Sequence, residues 1–367
     1  MSLSIAIVGL PNVGKSTMFN ALLRKQAAYA ANFPFATIEP NVGIVPVPDK
    51  RLKKLAEVIK ESEGMIELPP EVPATVEFVD IAGLIAGAHE GEGLGNNFLA
   101  HIRATDAICH VVRDFKNEDI VREGSVNPVD DLKTIEMELA LADLETLERQ
   151  KEPKANATNE EKHRWEAILK LKPQLEKGLP ARKLEFTDEE TREVKQLSLL
   201  TSKAILIVLN VSEEDLKDIS GKEKNFAKEV GVDVNQVVGI SARLEEELAA
   251  LSYSEAAVYL NEVGINQTGL ERLIRKEFAT LGLITFLTAG EKEVRAWTIK
   301  KGMKAPHAAG VIHTDFEKKF IKADMVNFED FTKFNGWKEC RDKGKVRSEG
   351  KEYIVKDGDV IEFKVGQ

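Results

Sequence analysis

The stretch Gly9–Thr17 reads GLPNVGKST and matches the pattern G-x-x-x-x-G-K-[ST]. An apolar segment, SIAIV at 4–8, precedes it, and a helix-like run, KSTMFNALLRK at 15–25, follows it. In this strand–loop–helix setting, backbone N–H groups turn toward phosphate, and the lysine reaches the β and γ phosphates. The pattern predicts nucleoside triphosphate binding, with Lys15 also a catalytic candidate. The predicted phosphate-binding residues are Asn12, Val13, Gly14, Lys15, Ser16 and Thr17.

Apolar segments with the character of buried strands recur along the chain, and helical stretches such as 270–278 alternate with the later ones. Such alternation predicts an α/β fold, a mostly parallel sheet with helices on both faces, as in GTPase-like P-loop NTPases. The predicted strands after the loop lie at 42–47, 76–79, 107–112, 205–209 and 237–240.

A long polar insertion separates the strands at 107–112 and 205–209. It places Leu132, Ile135, Leu139 and Ala142 on one helical stripe, and the apolar pattern resumes at Trp165 after a polar stretch. This periodicity predicts an antiparallel, coiled-coil-like helical hairpin at 131–201, inserted into the nucleotide-binding domain and projecting from it. Thr187 and Glu190 form a capping-box signature within this insertion.

The character of the chain changes after Gly282, where short β segments such as ITFLTAG and VRAWTI appear. The run EYIVKDGDVIEF at 352–363 has a KDGD turn between two apolar segments, which predicts a β-hairpin. We therefore predict a nucleotide-binding domain at 1–281, interrupted by the hairpin, and a small sheet-containing domain at 282–367.

The motif D-x-x-G follows the apolar segment VEFV at 76–79 and supplies Asp80 and Gly83. The Asp80 carboxylate is placed to hold Mg²⁺, and the Gly83 N–H is placed to sense the γ phosphate, a catalytic role. Ser16 and Thr37, the latter in NFPFATIEPN, are the other candidate metal ligands. Leu84 occupies the position where many small GTPases have a glutamine that orients water, so catalysis must use another group, the backbone or a partner.

The loop after the strand at 205–209 reads Asn210, Val211, Ser212, Glu213 instead of Asn-Lys-x-Asp. Guanine is selected by an aspartate that accepts from its ring N–H and its amine, and here Glu213 carries the carboxylate one methylene further out. Val211 replaces the lysine whose stem covers the ring. A site not built around the guanine donor pair loses a few kcal/mol of discrimination, about the value of a bidentate contact. Selectivity is expected to relax or to shift to ATP, with Ser241 and Ala242 supplying the last base-contacting loop.

Composition limits the other possibilities. The net charge of -10 argues against a protein that coats nucleic acid, although residues 282–367 carry 17 basic and 14 acidic side chains. Cys109 and Cys340 are far apart with no ligand spacing, so neither disulfides nor zinc are expected. The N-terminus enters a strand without a basic leader, and no apolar run reaches membrane length, so we expect a soluble, cytoplasmic protein without membrane contact.

Several of these motifs occur together in a known family. The runs GLPNVGKST, NFPFATIEPN, DIAGL, GEGLGNNF, the N-x-x-E loop and FLTAGEKEVRAWTI are similar to those of the YchF subfamily of Obg-related P-loop ATPases. The similarity extends to GVIHTDFEKKFIKADMV and EGKEYIVKDGDV and so covers essentially the whole chain.

The resemblance implies a nucleotide domain, an inserted hairpin and a C-terminal TGS domain of β-grasp form. It also implies Mg²⁺-dependent ATP hydrolysis in preference to GTP, association with the large ribosomal subunit or the whole ribosome, and a role in translation or stress regulation. RNA is a further candidate partner of the TGS domain.

One position departs from the family. Many members have a histidine that assists hydrolysis where this chain has Arg122. An arginine stabilises transition-state charge but cannot act as a base near neutral pH. Two functional alternatives stay open at this point: a GTPase acting in translation or ribosome assembly, and a binding module stabilised by nucleotide with negligible turnover.

Overall fold

The computed structural model describes residues 4–32, 41–81, 94–115, 127–251, 253–263, 265 and 267–366. The strands are β1 Ser4–Val8, β2 Val42–Pro46, β3 Glu71–Val72, β4 Thr75–Asp80, β5 Ala107–Asp114, β6 Ala204–Val211, β7 Val237–Ile240, β8 Leu283–Ala289, β9 Val294–Lys300, β10 Phe320–Asn327, β11 Arg347–Glu349 and β12 Asp359–Val365.

The α-helices are α1 Lys15–Asn32, α2 Lys50–Ser62, α3 Leu94–Ala104, α4 Pro128–Glu148, α5 Asn159–Leu175, α6 Asp188–Gln196, α7 Ile219–Val230, α8 Ala242–Leu248, α9 Tyr253–Val263, α10 Gly269–Thr280, α11 Ala305–Ile312, α12 Thr314–Lys318, α13 Phe328–Lys333 and α14 Trp337–Asp342. Short 3₁₀ turns lie at 181–183, 200–202, 214–218 and 234–236. Within the described ranges, no helix combines the length and apolar character required to cross a bilayer.

The first sheet has the strand order β2-β4-β1-β5-β6-β7 in the part of the chain that the structure describes. β1 pairs in parallel with β4 and β5, and β6 pairs in parallel with β5 and β7. β2 runs antiparallel to β4, because Asp80 N–H donates to Asn41 O and Val47 N–H donates to Ala74 O. The predicted mostly parallel α/β sheet is therefore confirmed.

The parallel arrangement brings the ends of several strands to one edge of the sheet. The carboxyl ends of β1, β5, β6 and β7 lie together because these strands run in the same direction and are neighbours. In open parallel sheets this edge is where ligands bind. The phosphate-loop motif follows β1 and the N-x-x-E loop overlaps the end of β6, so the fold brings these two motifs to the same edge.

The insertion between β5 and β6 forms helices, as predicted. The stripe Leu132, Ile135, Leu139 and Ala142 is buried on α4. Farther along, α4 packs with α5 and α6 around a buried apolar cluster that includes Leu147, Ile168, Leu171 and Val194. The predicted capping box is present, since Glu190 N–H donates to Thr187 Oγ1 at 3.2 Å and Thr187 N–H donates back to Glu190 Oε2 at 3.0 Å.

The chain divides into two compact units. Of the described residues, one unit contains those within 4–45 and 77–276, and the other contains those within 46–76 and 277–366. The second unit therefore begins near the boundary expected at 282 but also takes in 46–76, which the sequence prediction had left in the nucleotide domain. The reason is physical: β3 pairs in parallel with β9, at Glu71 with Val294 and Val72 with Arg295.

The C-terminal unit contains a mixed sheet with the order β11-β10-β12-β8-β9-β3 among the described residues. The hairpin β8–β9 comes first, α11 crosses over it, and β12 returns to pair in parallel with β8, which is the arrangement of a β-grasp domain. The hairpin predicted at 352–363 is wrong. β12 pairs instead with β10, and Asp359 accepts from Lys356 N–H at 2.9 Å and from Tyr353 Oη at 2.7 Å, which fixes a turn without a second strand.

Candidate functional site

The phosphate-loop motif forms a tight loop between β1 and α1. Asn12 has φ 60°, Gly14 has φ 100°, and the helical hydrogen bonds begin where Met18 N–H donates to Gly14 O at 3.0 Å. A Cβ atom at position 14 would lie 2.2 Å from Nδ2 of Asn210, so only glycine fits here. The second motif glycine thus permits both the turn and the approach of a side chain from β6.

Lys15 and Asp80 form an electrostatic pair at the base of this loop. The Lys15 side chain is buried and its Nζ donates to the carbonyl oxygen of Leu10 at 2.7 Å. Burial lowers the pKa of Lys15 to about 8, and the Asp80 carboxylate opposes that shift. Burial likewise raises the pKa of Asp80, against the opposing charge of Lys15. Each group gains from a ligand that restores its charged form, as a phosphate does for the lysine and a cation does for the carboxylate.

Asn210 holds the phosphate loop and the loop after β7 together. Its Nδ2 donates to the carbonyl oxygen of Val13 at 2.8 Å, and its Oδ1 accepts from the N–H of Ala242 at 3.0 Å. The side chain is buried, so both bonds are shielded from water. Ser241, beside Ala242, caps α8 by accepting from Leu244 N–H at 3.4 Å. The residues predicted for the phosphate and base sides are thus joined by direct bonds.

The loop after Asn210 has its own hydrogen-bond pattern. Val211 is buried at the end of β6, whereas Glu213 is half-buried and begins a 3₁₀ turn. Ser212 Oγ donates to Asp215 Oδ2 at 2.7 Å. Lys222 in turn contacts Asp215 at 2.9 Å and Asp114 at 3.2 Å. The Asp215 carboxylate is therefore already bound by Ser212 and Lys222. The carboxylate predicted to read the base is that of Glu213, which lines the cavity.

A cavity of 720 Å³ lies over these loops and has the size of a ligand pocket. Every predicted phosphate- and base-side residue lines it except Val13, whose carbonyl instead holds Asn210. The sequence analysis missed Phe115, which directly follows β5 and whose ring lies 4.4 Å from the Arg113 guanidinium. The position of Phe115 directly after a predicted parallel strand was the signal in the sequence that could have identified it as a lining residue. Other missed lining residues are Ser212, Glu214, Arg243 and Glu246.

The donor set near the loop fits a small hard cation. Ser16 lines the cavity with an exposed hydroxyl, and Asp80 provides a partly buried carboxylate whose pKa burial raises. Mg²⁺ prefers oxygen ligands and takes only one or two protein carboxylates when phosphates supply the rest. No cluster of three His, Cys, Asp or Glu side chains occurs among the described residues.

Four sequence-predicted positions, Thr37, Gly83, Leu84 and Arg122, lie outside the described residues, so their roles stay predictions. The side chain of His110 is buried in β5. Burial is the main cause that lowers the pKa of His110 to about 3, and the positive charges of Arg182 and Lys15 lower it further. The imidazole is therefore neutral, and it does not line the nucleotide cavity.

The whole chain is similar to curated proteins of known name. It is 50% identical over 99% of both chains to the "Ribosome-binding ATPase YchF" of Bacillus subtilis (strain 168). It is 43% identical to "Obg-like ATPase 1" of Gallus gallus, over 99% of this chain and 92% of that one. The chain belongs to the YchF family. Two sequence families match parts of it: YchF-GTPase_C, described as "Protein of unknown function (DUF933)", at 283–366, and MMR_HSR1, "50S ribosome-binding GTPase", at 4–163.

A solved YchF structure has the same fold. "Structure of the Schizosaccharomyces pombe YchF GTPase" superimposes with a TM-score of 0.84 and 38% identity, over 99% of this chain and 98% of that one. The MMR_HSR1 match contains the phosphate loop and Asp80, and the YchF-GTPase_C match contains β8 to β12. The two family matches therefore cover residues 4–163 and 283–366 of this chain.

Proposed function

We propose that this chain hydrolyses ATP in preference to GTP and acts as a ribosome-associated regulatory switch in the cytoplasm, modulating translation or a stress response. The proposal draws on relatives named as ribosome-binding ATPases at 48–50% identity over nearly their whole length. The observation that carries the choice of nucleotide is the base side of the cavity, where Val211 and Glu213 replace the guanine-reading lysine and aspartate.

The base side offers apolar surface for a purine and lacks the loop residues that select guanine. Phe115 and Val211 present apolar surface to the cavity, which suits the flat faces of a purine. Asn210 is committed to Val13 and Ala242 and so holds the loops that surround the base. With Glu213 in place of an aspartate, the bidentate acceptor of the guanine N–H pair is displaced by one methylene, and the energetic preference for GTP is weakened.

On the phosphate side, Lys15 binds the β and γ phosphates, and loop N–H groups from Asn12 to Thr17 orient them. Ser16, Asp80 and Thr37 are the proposed holders of Mg²⁺, which when bound neutralises developing charge on the phosphate oxygens. Gly83 is the proposed sensor of the γ phosphate. Arg122 is the proposed stabiliser of transition-state charge, and no base is assigned to the attacking water.

The rival in the same fold is a GTPase, and the Schizosaccharomyces pombe relative is named as one. Calorimetric titration with ATP and GTP at the same Mg²⁺ concentration separates the two, because we expect tighter ATP binding. Equal or tighter GTP binding rejects the ATPase assignment. Val211→Lys with Glu213→Asp should move the preference toward GTP, and Lys15→Ala should weaken both nucleotides alike.

A second rival is a binding module that holds nucleotide without turnover. Release of phosphate from ATP under single-turnover conditions tests it, and we expect slow hydrolysis that is lost in Lys15→Ala and Ser16→Ala. A rate no higher than that of the Lys15→Ala protein, with either protein in saturating excess over ATP, would favour the static module.

Ribosome association is proposed to use the C-terminal TGS-type domain together with the inserted hairpin, with RNA a candidate contact. Lys300, the last residue of β9, and Lys301 are exposed, whereas Lys304 forms an ion pair with Glu352. Co-sedimentation of the full chain with ribosomes should weaken with salt and with Lys300→Glu plus Lys301→Glu. The matched control is Lys224→Glu plus Lys228→Glu on α7. Equal losses in the two variants would remove the C-terminal contact from the proposal.

A further inference from the structure

A second large groove lies in the C-terminal unit, and none of its lining residues belongs to a nucleotide-binding motif. Its volume is 650 Å³, and it is bounded by the β8–β9 turn, by β12 and by the ends of α2, α11 and α14. All of its lining residues belong to 46–76 or 277–367. The groove is therefore a feature of this unit alone.

The walls of the groove are aromatic and aliphatic. Ile312, Phe316, Trp337 and Phe363 are half-buried and line it. Trp337 is fixed in place, because its Nε1 donates to Ala289 O at 3.2 Å and its ring packs edge-on against Phe331 at 5.1 Å. Rigid aromatic side chains that keep part of their surface accessible are typical of the centre of protein interfaces.

The rim of the groove is acidic, although residues 282–367 are basic as a whole. Glu63, Glu291, Glu293 and Glu362 line it, against only Lys292 and Arg341. Arg341 is already neutralised by Glu362 at 3.1 Å. Glu63 and Glu291 are exposed and form no ion pair within the described part of the chain. Lys292 is likewise exposed and has no ion pair among the described residues, so the unpaired groups at the rim are two carboxylates and one ammonium, with one net negative charge.

These features select the chemistry of the partner. The phosphates of RNA would meet the carboxylates of Glu63 and Glu291 and be repelled, so nucleic acid is disfavoured at this groove. Lysine and arginine side chains would be attracted, and an apolar side chain would be buried against Trp337 and Phe316. We propose that the groove binds a short cationic segment of a partner protein that carries at least one large apolar side chain.

The test uses the full chain and a fluorescent synthetic peptide, KRLFKRG, followed by anisotropy. Two matched peptides separate the two interactions: EELFEEG reverses the charge, and KRGSKRG removes the apolar pair. We expect KRLFKRG to bind at least tenfold more tightly than either, with affinity falling as salt rises. A seven-nucleotide single-stranded RNA is the fourth probe. Tighter binding of the RNA or of EELFEEG, or no binding of KRLFKRG at 1 mM, would overturn the proposal, as roughly millimolar affinity marks the weak limit.

The location of binding is tested by variants that leave the apolar walls intact. Glu63→Lys with Glu291→Lys should weaken KRLFKRG at least tenfold, and the control Glu61→Lys with Asp342→Lys should change it less than twofold. Both control positions are exposed and outside the groove. Equal effects in the two double variants would reject the site.

Trp337 offers an independent readout. In a spectrum of ¹⁵N-labelled tryptophan side chains, the Trp337 signal should move on peptide addition, while that of Trp165 in the inserted hairpin should stay unchanged. A Trp337 signal that is unchanged at saturating peptide, or that moves with protein concentration alone, would contradict a peptide partner. The second of these outcomes would assign the groove to a second copy of the chain.

Discussion

The side-chain amide of Asn210 bonds the phosphate loop to the loop that follows β7, with Val13 O at 2.8 Å on one side and Ala242 N at 3.0 Å on the other. One residue of the base-side motif therefore also sets the geometry of the phosphate side. Because the side chain is buried, removal of the amide would cost each partner a hydrogen bond that is shielded from water.

Asn210→Ala is expected to lower the affinity for ATP and for GTP together, since it disrupts both loops rather than a base contact. Loss of two buried bonds corresponds to about 1–3 kcal/mol, or roughly 5–150-fold in the dissociation constant. Calorimetric titration with each nucleotide measures this. A variant that lost only one of the two nucleotides would show that Asn210 reads the base instead.

Gly14→Ala is expected to raise the dissociation constant for nucleotide by at least about 30-fold, or 2 kcal/mol, because the new Cβ would lie 2.2 Å from Asn210 Nδ2. Gly64→Ala is the matched control. It also has a positive φ, of 65°, but has no atom within 4 Å of the added Cβ and does not line the nucleotide cavity, so it controls for adding a Cβ at a positive-φ glycine elsewhere in the chain. If both variants bound ATP equally well, the close approach of Asn210 would not matter.

Affinity for ATP is expected to fall between pH 7 and pH 9. In the free protein Lys15 loses its proton as the pH rises through about 8, whereas the bound triphosphate requires the ammonium. One pH unit above the pKa leaves about a tenth of the lysine charged, so the loss approaches tenfold. Lys15→Arg, which stays charged, should show a much flatter profile. An identical pH dependence in both proteins would place the titration elsewhere.

The same shift has the opposite effect on folding without nucleotide. The folded pKa of Lys15, about 8, lies below the ordinary value of 10.5, so the unfolded chain binds more protons between those limits. The contribution of Lys15 to the free energy of unfolding therefore rises with pH across that window. Bound nucleotide keeps Lys15 charged and so removes this rise in the free energy of unfolding with pH.

Arg51→Ala is expected to destabilise the C-terminal unit by about 2–3 kcal/mol, the cost of removing charged, partly buried hydrogen bonds. Arg51 donates to Asp357 Oδ2 at 2.8 Å, to Thr285 Oγ1 at 2.6 Å and to Asp49 Oδ1 at 2.9 Å. Hydrogen exchange of α2 and β8 amides reports the loss. Lys54→Ala, on the same helix with an exposed partner at 3.3 Å, should change exchange little. Comparable effects would mean that helix propensity, not the Arg51 network, is responsible.

The nucleotide sheet could be predicted because buried parallel strands appear as continuous apolar runs. β5 and β6 are examples, since nearly every residue of each is buried. The segment 46–76 could not be assigned to the C-terminal unit, because the pairing of Val72 with Arg295 joins residues far apart in sequence and leaves no local signal. Phe115 was missed for a related reason: its place in the cavity depends on the neighbouring strand, not on a motif.

The turn at 356–359 shows the limit of local patterns. KDGD favours a reversal of the chain, and a reversal is present, but the residues before it pair only through the single bridge of Ile354 with Lys304. Turn chemistry predicts where the chain bends, whereas the choice of strand partner is decided by the sheet as a whole.

The inclusion of 46–76 in the C-terminal unit has a practical consequence for engineering. Removing everything after residue 281 would take away the sheet to which β3 belongs and would leave the apolar face of α2, including Leu52, Leu55 and Ile59, without its partners. The C-terminal unit cannot be removed by cutting the chain at one point, because it contains two separate segments. A chimaera that exchanges it between homologues must transplant both pieces, 46–76 and 277–367, and a shortened chain that aggregates reports exposed α2 surface and not a lost ribosome contact.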